Sequence, residues 1–181
     1  NVDLSTELDN KTWSTIQQAF LDNGVLFFRD HNLTLDQHMA FSRRFGELES
    51  YPYAYGVDGY SEIVEVVKLP DELYNFGSGW HTDMSFREHP PMGAVLCAKV
   101  VPAAGGDTLF ANMNLAYETL SDGMKEMVGR LKAIHYSHRK RGMGGPFKGM
   151  KNRSDYGEEA SIHPLTRVHP ETGKISLFLS P

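Results

Sequence analysis

The sequence has little cysteine, no excess of basic residues and no long apolar run. Cys97 is its only cysteine, which excludes an intrachain disulfide and a cysteine-based zinc site and fits a reducing compartment. The net charge of −5 includes no long basic stretch, so we expect no nucleic-acid partner. No segment approaches the roughly 20 apolar residues that cross a bilayer, and the first residues lack a signal-peptide pattern. We therefore expect a cytoplasmic protein without a membrane partner.

Composition and local signals predict one domain that opens with helices. With 40% hydrophobic residues, the chain can bury one core but is too short for two, which predicts a single domain over residues 1–181. Apolar residues recur at helical spacing over Asn10–Leu21, with a cap at the first residue and a stop at Gly24. Thr34 and Gln37 form a capping-box pattern that opens a second helix.

Short strands are predicted for most of the remaining chain. Residues 114–131 have helical spacing with a break at Ser121, and residues 139–160 are typical of a long surface loop. Residues 162–168 and 174–179 predict a hairpin about a Pro-Glu-Thr-Gly turn. Many short strands with a few helices indicate a mainly β fold with flanking helices (α+β), of the jelly-roll type. The other predicted strands cover residues 25–28, 62–68, 79–86, 93–100 and 108–111.

One segment, Gly-Trp-His-Thr-Asp-Met-Ser-Phe at 79–86, places an imidazole and a carboxylate two residues apart. On a strand such residues share a face, so His81 and Asp83 could bind one metal ion together. These donors are typical of the two-histidine, one-carboxylate sites of non-haem Fe(II) oxygenases. Most isolated His-x-Asp pairs are solvated loop residues. Here the rings of Trp80 and Phe86 favour a dry cavity instead, and the pair predicts an iron site.

A second motif follows some 25 residues later, where a turn rich in proline and glycine leads into Asp-Thr-Leu at 107–109. The segments at 80–83, 90–91 and 105–109 resemble Trp-His-x-Asp, Pro-Pro and Gly-Gly-Asp-Thr-Leu of the taurine and 2,4-D dioxygenase (TauD/TfdA) family. Its members are Fe(II)- and 2-oxoglutarate-dependent oxygenases. Similar stretches at 43–48 and 163–170 extend this resemblance over nearly the whole chain.

The resemblance implies a fold, a metal and a co-substrate. The implied fold is a double-stranded β-helix of the clavaminate synthase-like type, with the metal at its open end. His81 and Asp83 would bind Fe(II), and Thr108 matches the position whose hydroxyl binds the carboxylate of 2-oxoglutarate. The implied reaction hydroxylates a small organic acid with dioxygen and releases succinate and carbon dioxide.

Substrate residues are predicted by position after the Phe-Gly-Glu-Leu motif. Relatives specific for taurine carry a His and a Tyr there, whereas this sequence has Tyr51 and Ala54. We therefore expect a small anionic substrate other than taurine, such as a different sulfonate, a sulfate ester or an aryloxy acid. The candidates for lining its pocket are Tyr51, Tyr53, Asn75, Met84 and Phe178.

Two other functions stay open: a non-catalytic jelly-roll protein that binds or stores metal at a partial site, and a non-redox metallohydrolase. The second is disfavoured because Gly-Gly-Asp-Thr has no role in it. The distal His and the Arg of the family would lie beyond Pro181, so we expect an oxygenase domain incomplete at both ends. His163 and His169 are the alternative third ligands, although a structural role is expected for each. A homo-oligomer is also left open.

Overall fold

The computed structural model describes residues 2–73, 75–77, 79–137, 148–153 and 155–180. Within these residues the chain forms four helices and four strands. None of these helices is long and apolar enough to cross a membrane. In chain order the elements are α1 (Asn10–Asn23), α2 (Leu35–Arg43), α3 (Met113–Glu118), α4 (Asp122–Val128), β1 (Lys132–Tyr136), β2 (Ala160–Pro164), β3 (Thr166–Val168) and β4 (Ile175–Leu177).

The chain divides into two compact units. The candidate metal ligands His81 and Asp83 belong to the second unit, and Thr108 belongs to the first. The first unit comprises Asn1–Gly46, Ala94–Met127 and Thr166–Leu177, and the second comprises Glu47–Gly93, Val128–Leu165 and Phe178–Pro181.

Local capping determines the ends of α1 and α2. The carboxylate of Asp9 accepts a hydrogen bond of 2.9 Å from the backbone N–H of Thr12, so the cap lies one residue earlier than predicted. Gly24 ends α1 in the left-handed conformation at φ 73°, which confirms the predicted stop. The predicted capping box of Thr34 and Gln37 is present at the start of α2.

The core of the first unit forms around α1 and α2. Leu4, Ile16, Leu33 and Phe41 are buried together. The ring of Trp13 meets that of Phe41 edge to face, with centroids 6.4 Å apart. Burial of these side chains removes apolar area from water, which is the main term that stabilises this unit.

The strands form two antiparallel pairs, one in each unit. In the second unit β1 pairs with β2, with Ile134 opposite Ile162. In the first unit β3 pairs with β4, with Arg167 opposite Ser176. The predicted hairpin is therefore confirmed over β3 and β4, whereas the segment 162–164 pairs with β1 instead.

Other predicted strands are not regular strands in the described structure. A strand needs a continuous ladder of hydrogen bonds to a neighbour, and these segments make isolated bonds instead, such as that from Val67 N–H to the carbonyl of Gly149 at 3.2 Å. The second half of the metal motif, residues 83–86, forms a turn, in which Arg87 N–H donates to the carbonyl of Met84 at 3.0 Å. The segments concerned are 25–28, 62–68, 79–86, 93–100 and 108–111.

Two predictions concern the chain after residue 111. The break near Ser121 is confirmed, because it lies between α3 and α4. Of the predicted surface loop, residues 139–147 and Ser154 lie outside the described residues. The described part before β2 contains no helix or named strand, and Asn152 forms a single β-bridge with Ala54.

Candidate metal centre

His81 and Asp83 come together through a turn rather than along a strand. Nε2 of His81 lies 3.0 Å from Oδ1 of Asp83, and 46% and 61% of the two side chains are exposed. Nδ1 of His81 lies 2.7 Å from the carbonyl oxygen of Gly79. The predicted pairing is thus present, but its strand geometry was wrong.

The hydrogen bond to Gly79 determines what Nε2 of His81 can do. A carbonyl oxygen only accepts hydrogen bonds, so Nδ1 must carry the proton, and Nε2 of a neutral ring presents a lone pair. That lone pair faces a carboxylate oxygen of Asp83, a contact that is favourable only with a positive charge between the two atoms. Either protonation of His81 or a metal cation at Nε2 satisfies this geometry.

A first-row metal ion fits this donor pair. Such ions bind imidazole nitrogen and carboxylate oxygen at about 2.0–2.2 Å, so adjacent ligand atoms at right angles lie about 3 Å apart. The observed 3.0 Å between the two ligand atoms agrees with that value. The backbone acceptor behind the imidazole is also the usual device for fixing the tautomer of a metal-binding histidine. The separation of Nε2 of His81 and Oδ1 of Asp83 is therefore compatible with two adjacent ligands of one ion.

Within the described residues, His81 and Asp83 have no third partner of a metal-binding type. No group of three His, Cys, Asp or Glu side chains there could hold an ion. Nε2 of His163 lies 2.9 Å from the carbonyl of Arg87 instead. Nδ1 of His169 accepts hydrogen bonds from the two N–H groups of residues 171 and 172, in the turn between β3 and β4. Both histidines thus have the structural surroundings that we expected.

Aromatic side chains of the second unit adjoin the metal motif. Tyr51 meets Tyr53 and Phe76 edge to face at 5.8 and 6.1 Å, and Tyr53 meets Phe86 at 5.6 Å. Burial raises the pKa of Tyr51, and charge interactions with Tyr53 and Asp83 act in the same direction. We call Tyr51, Tyr53, Phe76 and Phe86 the aromatic cluster.

Other predicted site residues have varied surroundings. Met84 is half-buried in the turn of the metal motif, and its φ is 48°. Asn75 is exposed and directly precedes Phe76, a member of the aromatic cluster. Trp80, expected to shape a dry cavity, is 59% exposed. Thr108 is also exposed, and the preceding Gly105-Gly106 turn has positive φ at both residues.

Phe178 belongs to a buried group that sequence reasoning missed. Its ring stacks on His135 at 5.0 Å and meets His163 edge to face at 5.2 Å. His135 and His163 are only 2% and 6% exposed. The available signal was the alternation of exposed and less exposed residues along β1 and β2, which places each histidine on the buried face of its strand. This group packs the interior of the second unit.

Known proteins similar to this chain share one chemistry. A model of the family described as "Taurine catabolism dioxygenase TauD, TfdA family" matches residues 1–181. The (S)-phenoxypropionate/alpha-ketoglutarate-dioxygenase of Sphingobium herbicidovorans is 36% identical over 183 residues, which cover 96% of this chain and 63% of that protein. The alpha-ketoglutarate-dependent sulfate ester dioxygenase of Pseudomonas putida is 33% identical over 186 residues, covering 98% of this chain and 60% of that protein.

Solved structures agree with the predicted type of fold. The crystal structure of a taurine dioxygenase from Burkholderia xenovorans matches with a TM-score of 0.78 and 36% identity, covering 99% of this chain and 57% of that one. The structural neighbours are TauD-like dioxygenases, consistent with a jelly-roll type of fold. This chain spans less than two thirds of the length of each of these three proteins.

Proposed function

Because the chain belongs to the TauD/TfdA family, we propose that its protein catalyses Fe(II)- and 2-oxoglutarate-dependent hydroxylation of a small organic acid. Enzymes of this family depend on Fe(II) and 2-oxoglutarate. The observation that carries the proposal is the 3.0 Å separation of Nε2 of His81 and Oδ1 of Asp83, with Nδ1 held by a backbone carbonyl. Dioxygen and oxoglutarate are consumed, and hydroxylated product, succinate and carbon dioxide are formed.

Each candidate residue has a separate role in the proposed reaction. His81 and Asp83 would hold the iron, which would supply the activation of dioxygen. Thr108 would donate a hydrogen bond from its hydroxyl to a carboxylate oxygen of 2-oxoglutarate. This bond would orient the carboxylate, which a charge interaction alone does not do. The fold proposed around these residues is a double-stranded β-helix. The single cysteine fits a reducing compartment, and we place the enzyme in the cytoplasm.

An aryloxy acid is the substrate class that the aromatic cluster favours. Aromatic side chains prefer edge-to-face contacts with other rings, so an aryl group can extend the arrangement of Tyr51, Tyr53 and Phe76. Taurine has no ring and carries a compact sulfonate, to which a neutral tyrosine offers one hydrogen bond and no positive charge. Asn75 and Met84 are proposed to complete this pocket. Sulfate esters with a large apolar group are the next class.

Substrate-dependent succinate release tests the proposal. The full-length protein is incubated aerobically with Fe(II), 2-oxoglutarate and, in turn, 2-phenoxypropionate, an alkyl sulfate or taurine. We expect succinate and hydroxylated product in equal amounts with the phenoxy acid, less with the alkyl sulfate and least with taurine. Samples without Fe(II) or without 2-oxoglutarate are the controls. A rate of succinate formation that is the same with and without each organic acid would contradict the proposed reaction. So would product formation without 2-oxoglutarate.

A substitution in the aromatic cluster tests the substrate class separately from the reaction. Phe76→Ala removes one ring that meets Tyr51, so KM for 2-phenoxypropionate should rise about 2- to 10-fold, since an aromatic contact contributes about 0.5–1.5 kcal/mol. KM for 2-oxoglutarate should not change. Phe27→Ala, which removes an exposed ring of the first unit, is the matched control. An equal rise of KM for both compounds would assign Phe76 to the structure of the site rather than to substrate contact.

A further inference from the structure

Gly77 lies against the ring of the metal ligand His81. Its φ is 69°, a left-handed conformation that side chains rarely adopt. A Cβ atom at this position would lie 3.2 Å from Cε1 and 3.8 Å from Nε2 of His81. Carbon atoms in favourable contact lie about 3.5–4.0 Å apart, so the shorter distance requires the ring to move. Cε1 is bonded to Nε2, and displacement of one displaces the other.

A hydrogen bond holds the ring at Nδ1, the nitrogen bonded to Cε1 on its other side. Nδ1 of His81 donates to the carbonyl oxygen of Gly79 at 2.7 Å. The imidazole therefore lies against Gly77 at Cε1 and is anchored to Gly79 at the adjacent Nδ1. A side chain at position 77 would push the ring while the hydrogen bond resists, and Nε2 would leave its position opposite Asp83.

Among the described residues, the other glycines of the second unit do not have this relationship. Gly59 has a similar φ of 83°, and a Cβ there would have no atom within 4 Å. Gly79 likewise has no atom within 4 Å of such a Cβ. Positive φ alone thus does not distinguish Gly77. Its distinguishing feature is the contact with the metal-binding edge of His81.

We propose that Gly77 is a positioning residue for the metal site, which sets the orientation of the His81 imidazole by leaving room for Cε1. The inference rests on the proposed function in one respect, namely that Nε2 of His81 binds the metal. Gly77 itself touches neither metal nor substrate. Its effect on metal binding is exerted entirely through the His81 ring.

The first test is a titration with Co(II) alone, followed by visible absorption, in the full-length protein. Gly77→Ala should weaken Co(II) binding about 10–100-fold, as is usual when a group that orients a metal ligand is lost. Its Co(II) spectrum should also change, because the geometry of the site changes. Gly59→Ala imposes the same kind of backbone cost without the contact, and its Co(II) affinity and spectrum should match those of the wild type.

A second test covers the case in which Gly77→Ala folds poorly. Without metal, Gly77→Ala should lower the urea midpoint of unfolding more than Gly59→Ala does. In a His81→Ala background the ring is absent, so the two glycine substitutions should lower the midpoint equally. This double-variant comparison does not depend on metal or on activity.

The outcomes are distinct. Wild-type Co(II) affinity in Gly77→Ala overturns the inference, and so does an excess loss of stability that persists without the His81 ring. If His81→Ala itself keeps wild-type Co(II) affinity, the proposed metal site is wrong and the inference falls with it. If His81→Ala abolishes binding while Gly77→Ala leaves it unchanged, the proposed function stands and only the role of Gly77 is removed.

Discussion

Nε2 of His81 lies 3.0 Å from Oδ1 of Asp83, a separation that suits two adjacent ligands of one ion. Replacing either residue by alanine removes one of the two ligands proposed for the metal. We expect His81→Ala and Asp83→Ala to abolish stoichiometric Fe(II) binding and succinate release. Asp83→Glu should also fail, since the added methylene displaces the carboxylate. Metal analysis after desalting measures the first effect, and a succinate assay the second.

The control for that prediction is Asp58→Ala. Asp58 is an exposed carboxylate of the same unit that pairs with Lys151 at 2.7 Å. Its removal should leave Fe(II) binding unchanged, since exposed ion pairs contribute about 0–1 kcal/mol to stability. Wild-type succinate release by His81→Ala or Asp83→Ala would remove these residues from the site.

Thr108 is expected to strengthen oxoglutarate binding without being indispensable. A hydrogen bond to a charged group contributes about 1.5–3 kcal/mol, so Thr108→Val should raise the dissociation constant of 2-oxoglutarate by about one to two powers of ten. Calorimetric titration of the Mn(II)-loaded protein measures this change. Thr15→Val, which makes the same chemical change on α1, should leave the constant unaltered. An unchanged constant in Thr108→Val would exclude this role.

The raised pKa of Tyr51 predicts a loss of stability in alkali. Burial is the main cause of the shift, so the folded protein holds the phenol proton to a higher pH than the unfolded chain, whose tyrosine pKa is about 10. The contribution of neutral Tyr51 to stability is complete below that pH and is lost as pH rises through the raised pKa. Urea unfolding between pH 8 and the alkaline limit should show a steeper decline for the wild type than for Tyr51→Phe. If the free energy of unfolding declines equally with pH in the wild type and in Tyr51→Phe, Tyr51 is not the cause of the alkaline loss of stability.

The aromatic core of the first unit is expected to dominate the stability of that unit. Phe41 is 6% exposed and contacts Trp13, so Phe41→Ala should lower the free energy of unfolding by about 3–5 kcal/mol. Phe27, at 69% exposure, provides the matched control. Phe27→Ala should cost less than about 1 kcal/mol, as surface substitutions usually do. Equal costs in urea unfolding would contradict this description of the core.

Local signals were predictable because they depend on neighbours in sequence. The side chains of Thr34 and Gln37 each accept a hydrogen bond from the other residue's backbone N–H, within one helical turn. Gly24 ends α1 because it adopts the left-handed conformation. The proximity of His81 and Asp83 was predictable for the same reason. Their geometry was not, because the strand argument required a partner strand, whereas the bend of the segment comes from hydrogen bonds within turns.

Contacts between distant residues carried little signal in the sequence. The ring of Phe178 stacks on His135, which lies more than forty positions away in the sequence. We predicted Phe178 for the substrate pocket, because residue spacing alone cannot show that its ring packs on a buried histidine. The contact of Gly77 with His81 is close in sequence, but it depends on a left-handed backbone conformation that a glycine permits without requiring it.

The hydrogen bond from the hydroxyl of Tyr53 to the carbonyl of Gly157, at 3.1 Å, spans 104 positions of the chain. The ring of Tyr53 also meets that of Tyr156 at 5.4 Å, and both contacts require closure of this long loop. Loop closure costs conformational entropy before any contact is gained, so distant pairs form slowly. During refolding we expect α1 and α2 to form early and the aromatic cluster late. The segment that carries His81 and Asp83 would then acquire its aromatic surroundings among the last events of folding.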